Sequence, residues 1–229
     1  KKIEPFFISS ADNFYPRPAR NGKNDFRVTF NIKVETPEKL NVVSQGEKLS
    51  DFVKNSNRTV IWRENKPQEG IILIADRYKV FTARHQSISL YAYLHDNDKA
   101  LAKKYFKATR SYIDLYSKLI APYPYKKFAL VENIKQTGYG MPSFTLLGSR
   151  IIRFPFILQT SYPHEILHNW FGNGVYIRPD SGNWAEGLTT YLADHLLSEQ
   201  MGKGGQYRLQ ALMKYSNYVN EKNDFPLEN

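Results

Sequence analysis

The spacing of the apolar residues changes once along this chain, near residue 95. That change limits the architecture more than any other feature. Before it, Phe26-Arg27-Val28-Thr29-Phe30-Asn31-Ile32-Lys33-Val34 alternates apolar and polar residues without a fault. Such alternation lines one face of a half-buried strand. Thr59-Val60-Ile61-Trp62, the stretch from Gly70 to Phe81 and Ile88 to Leu94 read as further strands, with turn chemistry at Asn55-Ser56-Asn57 and Glu64-Asn65-Lys66-Pro67. Beyond residue 95, Leu101, Tyr105, Ala108, Tyr112, Leu115 and Leu119 recur at steps of four and three. That spacing predicts one face of a long helix, capped from Asp96 to Asp98 and ended near Pro122 and Pro124. Short strands are predicted at Phe128–Val131 and Thr145–Leu147, and helices near 161–171, 184–200 and 204–220. The fold class is therefore α+β, a β-sandwich or part of one over residues 1–94, then a helix-rich α/β part over 95–229.

Composition narrows the chemistry. The chain has 229 residues, 41% hydrophobic and 24% charged, which excludes disordered and fibrous classes. It contains no cysteine. Disulfides, a thiolate nucleophile and Cys-ligated metal sites are thus excluded, and any metal chemistry must use His, Asp and Glu. The net charge of +10 raises the possibility of a nucleic-acid partner. However, the basic residues are scattered, densest only at Lys103-Lys104 and Lys126-Lys127, so no nucleic-acid partner is expected. No apolar run approaches the roughly 18 residues of a membrane helix. The chain opens on Lys1-Lys2 and stops at Asn229, and it reads as a fragment of a longer protein. Lack of cysteine selects no compartment; an exported location, periplasmic or extracellular, is the expectation. The sequence does not give the oligomeric state.

The chemistry concentrates at residues 164 to 186. His164-Glu165-Ile166-Leu167-His168 is an HExxH pattern that uses two of the five histidines. On a helix, positions i and i+4 share a face, so both imidazoles can reach one ion. Glu165 beside them can hold and deprotonate a metal-bound water. Pro163 suits the first turn of such a helix and Gly172 its end. Catalytic zinc takes three protein ligands and an open position. The next acid on a predicted helix is Glu186, which an antiparallel helix would return to the histidines; Asp180, in a loop, is the rival. Glu186, Thr190 and Asp194 follow at i, i+4 and i+8, so Asp194 can hydrogen-bond a ligand from behind, although an exposed helix Asp is the simpler and favoured reading.

His164 to Asn173, with Trp170-Phe171-Gly172-Asn173 closing the run, followed by Trp184-Ala185-Glu186-Gly187-Leu188, resembles the membrane alanyl aminopeptidase family of zinc peptidases, which includes leukotriene A4 hydrolase. Pro122-Tyr123-Pro124-Tyr125-Lys126-Lys127-Phe128 resembles that family's entry into the catalytic sheet. The resemblance implies that residues 1–94 end an N-terminal β domain and that 95–229 begin a thermolysin-like catalytic domain. It further implies one Zn²⁺ bound by His164, His168 and Glu186, Glu165 as general base, and a peptide substrate.

The sequence also departs from the family. The spacing from His168 to Glu186 is one residue shorter than usual, a deletion the loop from Asn173 to Asn183 can absorb. The family's Gly-x-Met-Glu-Asn strand, whose Glu grips the substrate amine, corresponds here to Tyr139-Gly140-Met141-Pro142-Ser143. Pro142 carries no charge, while Gly140 and Met141 can still offer backbone contacts to an extended peptide. Glu132, on the preceding strand, is a possible substitute acid. The family's transition-state tyrosine would fall beyond Asn229, and Tyr207, Tyr215 and Tyr218 are expected to pack helices. His85, His95 and His195 fit no pattern and are read as structural. Three alternatives to an aminopeptidase stand: an endopeptidase or altered exopeptidase, a non-catalytic zinc module, and a basic nucleic-acid binder.

Overall fold

The faultless alternation at residues 26–34 becomes strand β2 (Val28–Pro37), with Val28, Phe30, Ile32 and Val34 half-buried and the polar residues between them exposed. β2 pairs antiparallel with β5 (Asn57–Gln68), which pairs antiparallel with β4 (Glu47–Lys54). Asn55 and Ser56 join β4 to β5 with φ of 51° and 60°, the left-handed conformation that a tight hairpin demands. A second sheet runs in the order β1-β6-β3, from Phe6–Ile8, Leu73–Asp76 and Asn41–Ser44. Val42, Leu73 and Ala75 from this sheet form one core with Val60 and Trp62 of β5, and Phe30, Ile32 and Val34 pack against it. This is the expected sandwich, and burying each large side chain contributes about 1.5–3 kcal/mol. The structure, a computed structural model, describes residues 6–8, 14–16, 26–178, 181–220, 222 and 224.

The chain divides into two compact units, one of residues 1–106, 125–132 and 142–144, the other of 107–124, 133–141 and 145–229. Besides the sandwich, the first unit holds the hairpin β7 (Lys79–His85) and β8 (Ile88–Leu94), with β8 parallel to β9 (Lys127–Asn133). A parallel neighbour needs a crossover. Helix α1 (Lys99–Leu119) supplies it, with Asp98 accepting the Leu101 N–H at 2.8 Å as the cap.

In the first unit the Lys127 ammonium is 1% exposed. It donates to Ser143 Oγ at 2.7 Å and lies 5.2 Å from the rings of both Trp62 and Phe144. Burial holds its pKa well below the usual lysine value. Ser143, at φ 66°, also accepts the Gly46 N–H at 3.1 Å.

The second unit carries β10 (Gly138–Met141) and most of β11 (Phe144–Gly148), joined by the Pro142-Ser143 turn. Helices α2 (Ser161–Leu167), α3 (Trp184–Thr189), α4 (Leu196–Gln200) and α5 (Gly204–Tyr218) come next, with a π-helical turn over Thr190–His195 between α3 and α4.

Three sequence expectations need correction. Glu64-Asn65-Lys66-Pro67 is an irregularity inside β5, not a turn: Phe30 faces Glu64, Val28 faces Gln68, and the surplus residues bulge. Pro67 has no N–H for the ladder and the Lys66 N–H is taken by Glu64 Oε1 at 2.8 Å, so the chain bends without leaving the sheet. The buried face of α1 is rotated from the predicted one. Tyr105, Phe106, Thr109, Ile113 and Tyr116 are buried, whereas Leu119 is half exposed. Thr109 tolerates this because its hydroxyl pairs with the Tyr162 hydroxyl at 2.6 Å. Finally, Tyr215 and Tyr218, expected to pack helices, are both exposed on α5.

Candidate metal centre

α2 is short, but it holds the whole HExxH pattern, with His168 as its C-terminal cap. Four residues just past this cap, Asn169, Trp170, Gly172 and Asn173, lock the chain in place. Trp170 donates its indole N–H to the Ala121 carbonyl at 2.7 Å and packs edge-on against Tyr116 and Tyr123. Asn169 is fully buried, accepting from the Tyr123 hydroxyl at 3.3 Å and donating to the Ile166 carbonyl at 2.8 Å. Gly172 takes φ 96°, and Asn173 donates to the Gly140 carbonyl at 3.1 Å. The Trp-Phe-Gly-Asn tail therefore anchors the end of α2 against α1 and ties it to strand β10.

His164, His168 and Glu186 come together, with ligand atoms all within 4.8 Å of one another. His164 Nε2 lies 3.0 Å from Glu186 Oε1, and His168 Nε2 lies 3.4 Å from Glu186 Oε2. Each ring is turned by its other nitrogen. His164 Nδ1 faces Asp194 Oδ2 at 3.3 Å, and His168 Nδ1 faces the Phe171 carbonyl at 3.2 Å. With Nδ1–H donating in both, each Nε2 keeps a lone pair aimed at the same point. Two such nitrogens and a half-exposed carboxylate are a donor set that fits zinc with a position open to solvent. Asp180, the rival ligand, lies outside the described residues.

Asp194 reaches His164 through the π-helical turn. Eight residues along an ideal α-helix end about 80° past the starting face. The wider turn at Thr190–His195 absorbs one residue, bringing Asp194 round to the side of Glu186.

Glu165 is held on the other flank by β10. The Gly140 N–H donates to its carboxylate. A Cβ at Gly140 would sit 2.9 Å from Glu165 Oε2 and 3.0 Å from His168 Cβ, and one at Gly138 would sit 3.0 Å from Glu165 Oε1. Strand and helix can approach this closely only because both positions are glycine. Burial, helped by the negative charges of Glu186 and Asp194 and opposed by His164, pushes the Glu165 carboxyl up to about 7. Burial also works against the charged form of His164, but Asp194, Glu165 and Glu186 outweigh it and the pKa is raised. His168 is lowered, by burial first and by the neighbouring His164.

Gly138, Gly140, Glu165, His168, Asn173 and Glu186 line a cavity of about 380 Å³. Met141 is half-buried, and Pro142 is buried in the turn after β10. Glu132 is 1% exposed in the first unit and accepts the His95 N–H at 2.7 Å. A second cavity of about 550 Å³ also reaches His164 and Glu165, with Phe156, Tyr207 and Lys214 on its walls. Sequence reasoning missed that cavity, and Tyr207 lines it; no local pattern reveals which residues five separate helical segments bring to one hollow.

The sequence matches no protein-family model and no curated protein. Solved structures share the fold. A mutant of the M1 zinc metallopeptidase from Deinococcus radiodurans gives a TM-score of 0.68 at 18% identity, covering 90% of this chain and 49% of that one. A second structure of the M1 zinc metallopeptidase from that organism gives 0.66 at 18% identity over 88% and 47%, and the mutant bound to a Tyr-Ser-Ala substrate gives 0.67 at 18% over 90% and 48%. The chain has a mixed α+β fold similar to these structures and spans about half their length. No helix among the described residues is long and apolar enough to cross a membrane.

Proposed function

We propose that this chain carries the hydrolytic centre of an aminopeptidase-like zinc peptidase, with residues 1–94 ending an N-terminal β domain and 95–229 opening a thermolysin-like catalytic domain. The observation that carries the reading is the convergence of His164 Nε2, His168 Nε2 and the Glu186 carboxylate beside Glu165. His164, His168 and Glu186 would hold one zinc ion, with Asp194 fixing the His164 ring. A bound zinc supplies Lewis acidity, which polarises the substrate carbonyl and makes water easier to deprotonate. Glu165 takes the proton from water on a carboxylate oxygen and returns it to the leaving amine. A buried carboxylate whose proton affinity sits near neutrality suits both steps. At strand β10 the Gly140 N–H is held by Glu165 and its carbonyl by Asn173, so Met141 is the position that offers main-chain groups to an extended peptide.

The test is elemental analysis of zinc-soaked protein. One zinc per chain is expected, lost in His168→Ala; full zinc content in that variant would reject the ligand set.

A second reading concerns specificity. Pro142 has no charge to grip a substrate amine, and Glu132 is already engaged with His95. Without that charge-assisted contact, worth about 1.5–3 kcal/mol, the enzyme discriminates weakly between free and blocked N-termini and accepts endopeptidase or altered exopeptidase substrates. Paired kinetics on one peptide with free and N-acetylated ends tests this, using protein extended past residue 229. A hundredfold preference for the free amine would return the protein to ordinary aminopeptidases.

A further inference from the structure

Two cavities of the second unit meet at His164 and Glu165, which line both. The smaller, beside β10, has Glu165 and Glu186 on its walls and no lysine or arginine. The larger has a different character. Phe156, Met201 and Tyr207 give it apolar walls, Ser161 and Ser198 add hydroxyls, and Lys214 of α5 brings an ammonium group. Lys214 is the single lysine or arginine on the lining of either cavity. Two acids share this lining: Asp194 is turned onto His164 Nδ1 at 3.3 Å, and Glu165 is held by the Gly140 N–H. Among the described residues Lys214 has no ion-pair partner. Lys214, itself exposed, stands on the lining of a hollow that begins at the reacting groups.

A peptide cut at Glu165 sends its amino-side and carboxyl-side portions in opposite directions. The portion entering the larger cavity meets a cation, and the only anion every short unmodified peptide carries at a fixed place is its terminal carboxylate. At ~3.3–3.6 Å per extended residue, a hollow of about 550 Å³ holds one or two residues beyond the cleaved bond. Resting on the peptidase reading above, we propose that the larger cavity receives the carboxy-terminal end of a short peptide and that Lys214 anchors its carboxylate. The substrate class is then di- and tripeptides with a free carboxyl end, in preference to peptide amides. The contact lies at a partly hydrated mouth, so its effect is modest, about five- to tenfold.

Calorimetric binding of the dipeptide Ala-Phe and of its amide tests the site without requiring turnover. Wild-type protein should bind the free acid five- to tenfold more tightly. Lys214→Met should remove the difference and Lys214→Arg should keep it, with thermal melts checking that both variants fold. Equal binding of acid and amide by wild type, no binding of either, or a preference that survives Lys214→Met would overturn the proposal. Hydrolysis of the tripeptide Ala-Ala-Phe and its amide is measured in parallel. Hydrolysis without acid preference removes the Lys214 site and leaves the peptidase reading standing. Acid-selective binding without hydrolysis does the reverse.

Discussion

His95, in the first unit, and the histidines of α2, in the second, both sit among carboxylates, and their ring nitrogens are used differently. Both His95 nitrogens face acids: Nε2 lies 3.0 Å from Asp76 Oδ2 and Nδ1 lies 3.6 Å from Glu132 Oε1. The ring stacks on Tyr78, whose hydroxyl donates to the Glu132 carbonyl at 3.2 Å. This geometry favours an imidazolium, which has no lone pair for a metal. In α2 the two Nε2 atoms converge on one shared carboxylate, Glu186, while Nδ1 is held by Asp194 in His164 and by the Phe171 carbonyl in His168. Histidine near acid is thus a poor signature of a metal site; a spare nitrogen oriented by its partner is a better one. Among the described residues, His164, His168 and Glu186 are the group whose ligand atoms meet that condition.

The sharpest way to break the contrast is to remove one acid from each cluster. Glu165→Gln keeps the shape of the site and removes the proton acceptor. It should lower kcat by about 10²- to 10⁴-fold with zinc content unchanged, read by steady-state kinetics and elemental analysis. Glu132→Gln should leave kcat as it is at any temperature where the variant stays folded. A reversed outcome would move the chemistry to the first unit.

The next effect separates acids that orient a ring from acids that merely pair with one. Asp194→Asn should weaken zinc binding by about 10–100-fold, measured by competition with a chelator. Asp76→Asn, which makes the equivalent change beside His95, should leave zinc affinity unaltered. Equal weakening by both would show a general charge effect and not ring orientation.

These residues also mark how far the sequence can be read. The i, i+4 spacing of His164 and His168 is local and survives any tertiary arrangement, so the pair is legible. So are the alternation of β2 and the Asp98 cap of α1. Glu186 needs the added assumption of a returning helix. Asp194 defeats periodicity, because its alignment with Glu186 depends on one π-helical turn that its sequence does not announce. The face of α1 escapes periodicity because Thr buries as readily as Leu once its hydroxyl finds a partner, as Thr109 does with Tyr162. Glu132 and Lys214 carry no local signal; long-range folding alone decides that one is buried against His95 and the other lines a cavity.

A smaller effect concerns stability. Glu132 is almost fully buried and accepts the His95 N–H. Glu132→Leu leaves that donor unpaired and deprives the imidazole of one of its two acids. A loss of about 1–3 kcal/mol in urea denaturation is expected. Zinc content should stay at the wild-type level, since the α2 cluster shares no acid with His95. A neutral outcome would mean that Asp76 alone satisfies the ring.

The smallest effect is a pH dependence, and its sign is set by His95. The carboxylate of Glu132 raises the pKa of this ring above 6.5, burial works against that, and Asp76 adds to it. A group whose folded pKa lies above its unfolded value binds its proton more tightly in the folded protein. Its contribution is therefore fully present below pH 6.5 and fades as pH climbs through the raised folded value. His95→Gln keeps a polar side chain of similar reach but cannot titrate. Denaturation of wild type and His95→Gln side by side, from about pH 5, above the usual carboxylate range, into the alkaline range, cancels the contributions of other groups such as His164. The stability gap should be widest on the acid side of 6.5 and shrink as pH rises. A gap that stays constant across the range would mean that His95 acts by stacking on Tyr78 and not by its charge, and the first-unit cluster would then be a packing motif with acids beside it.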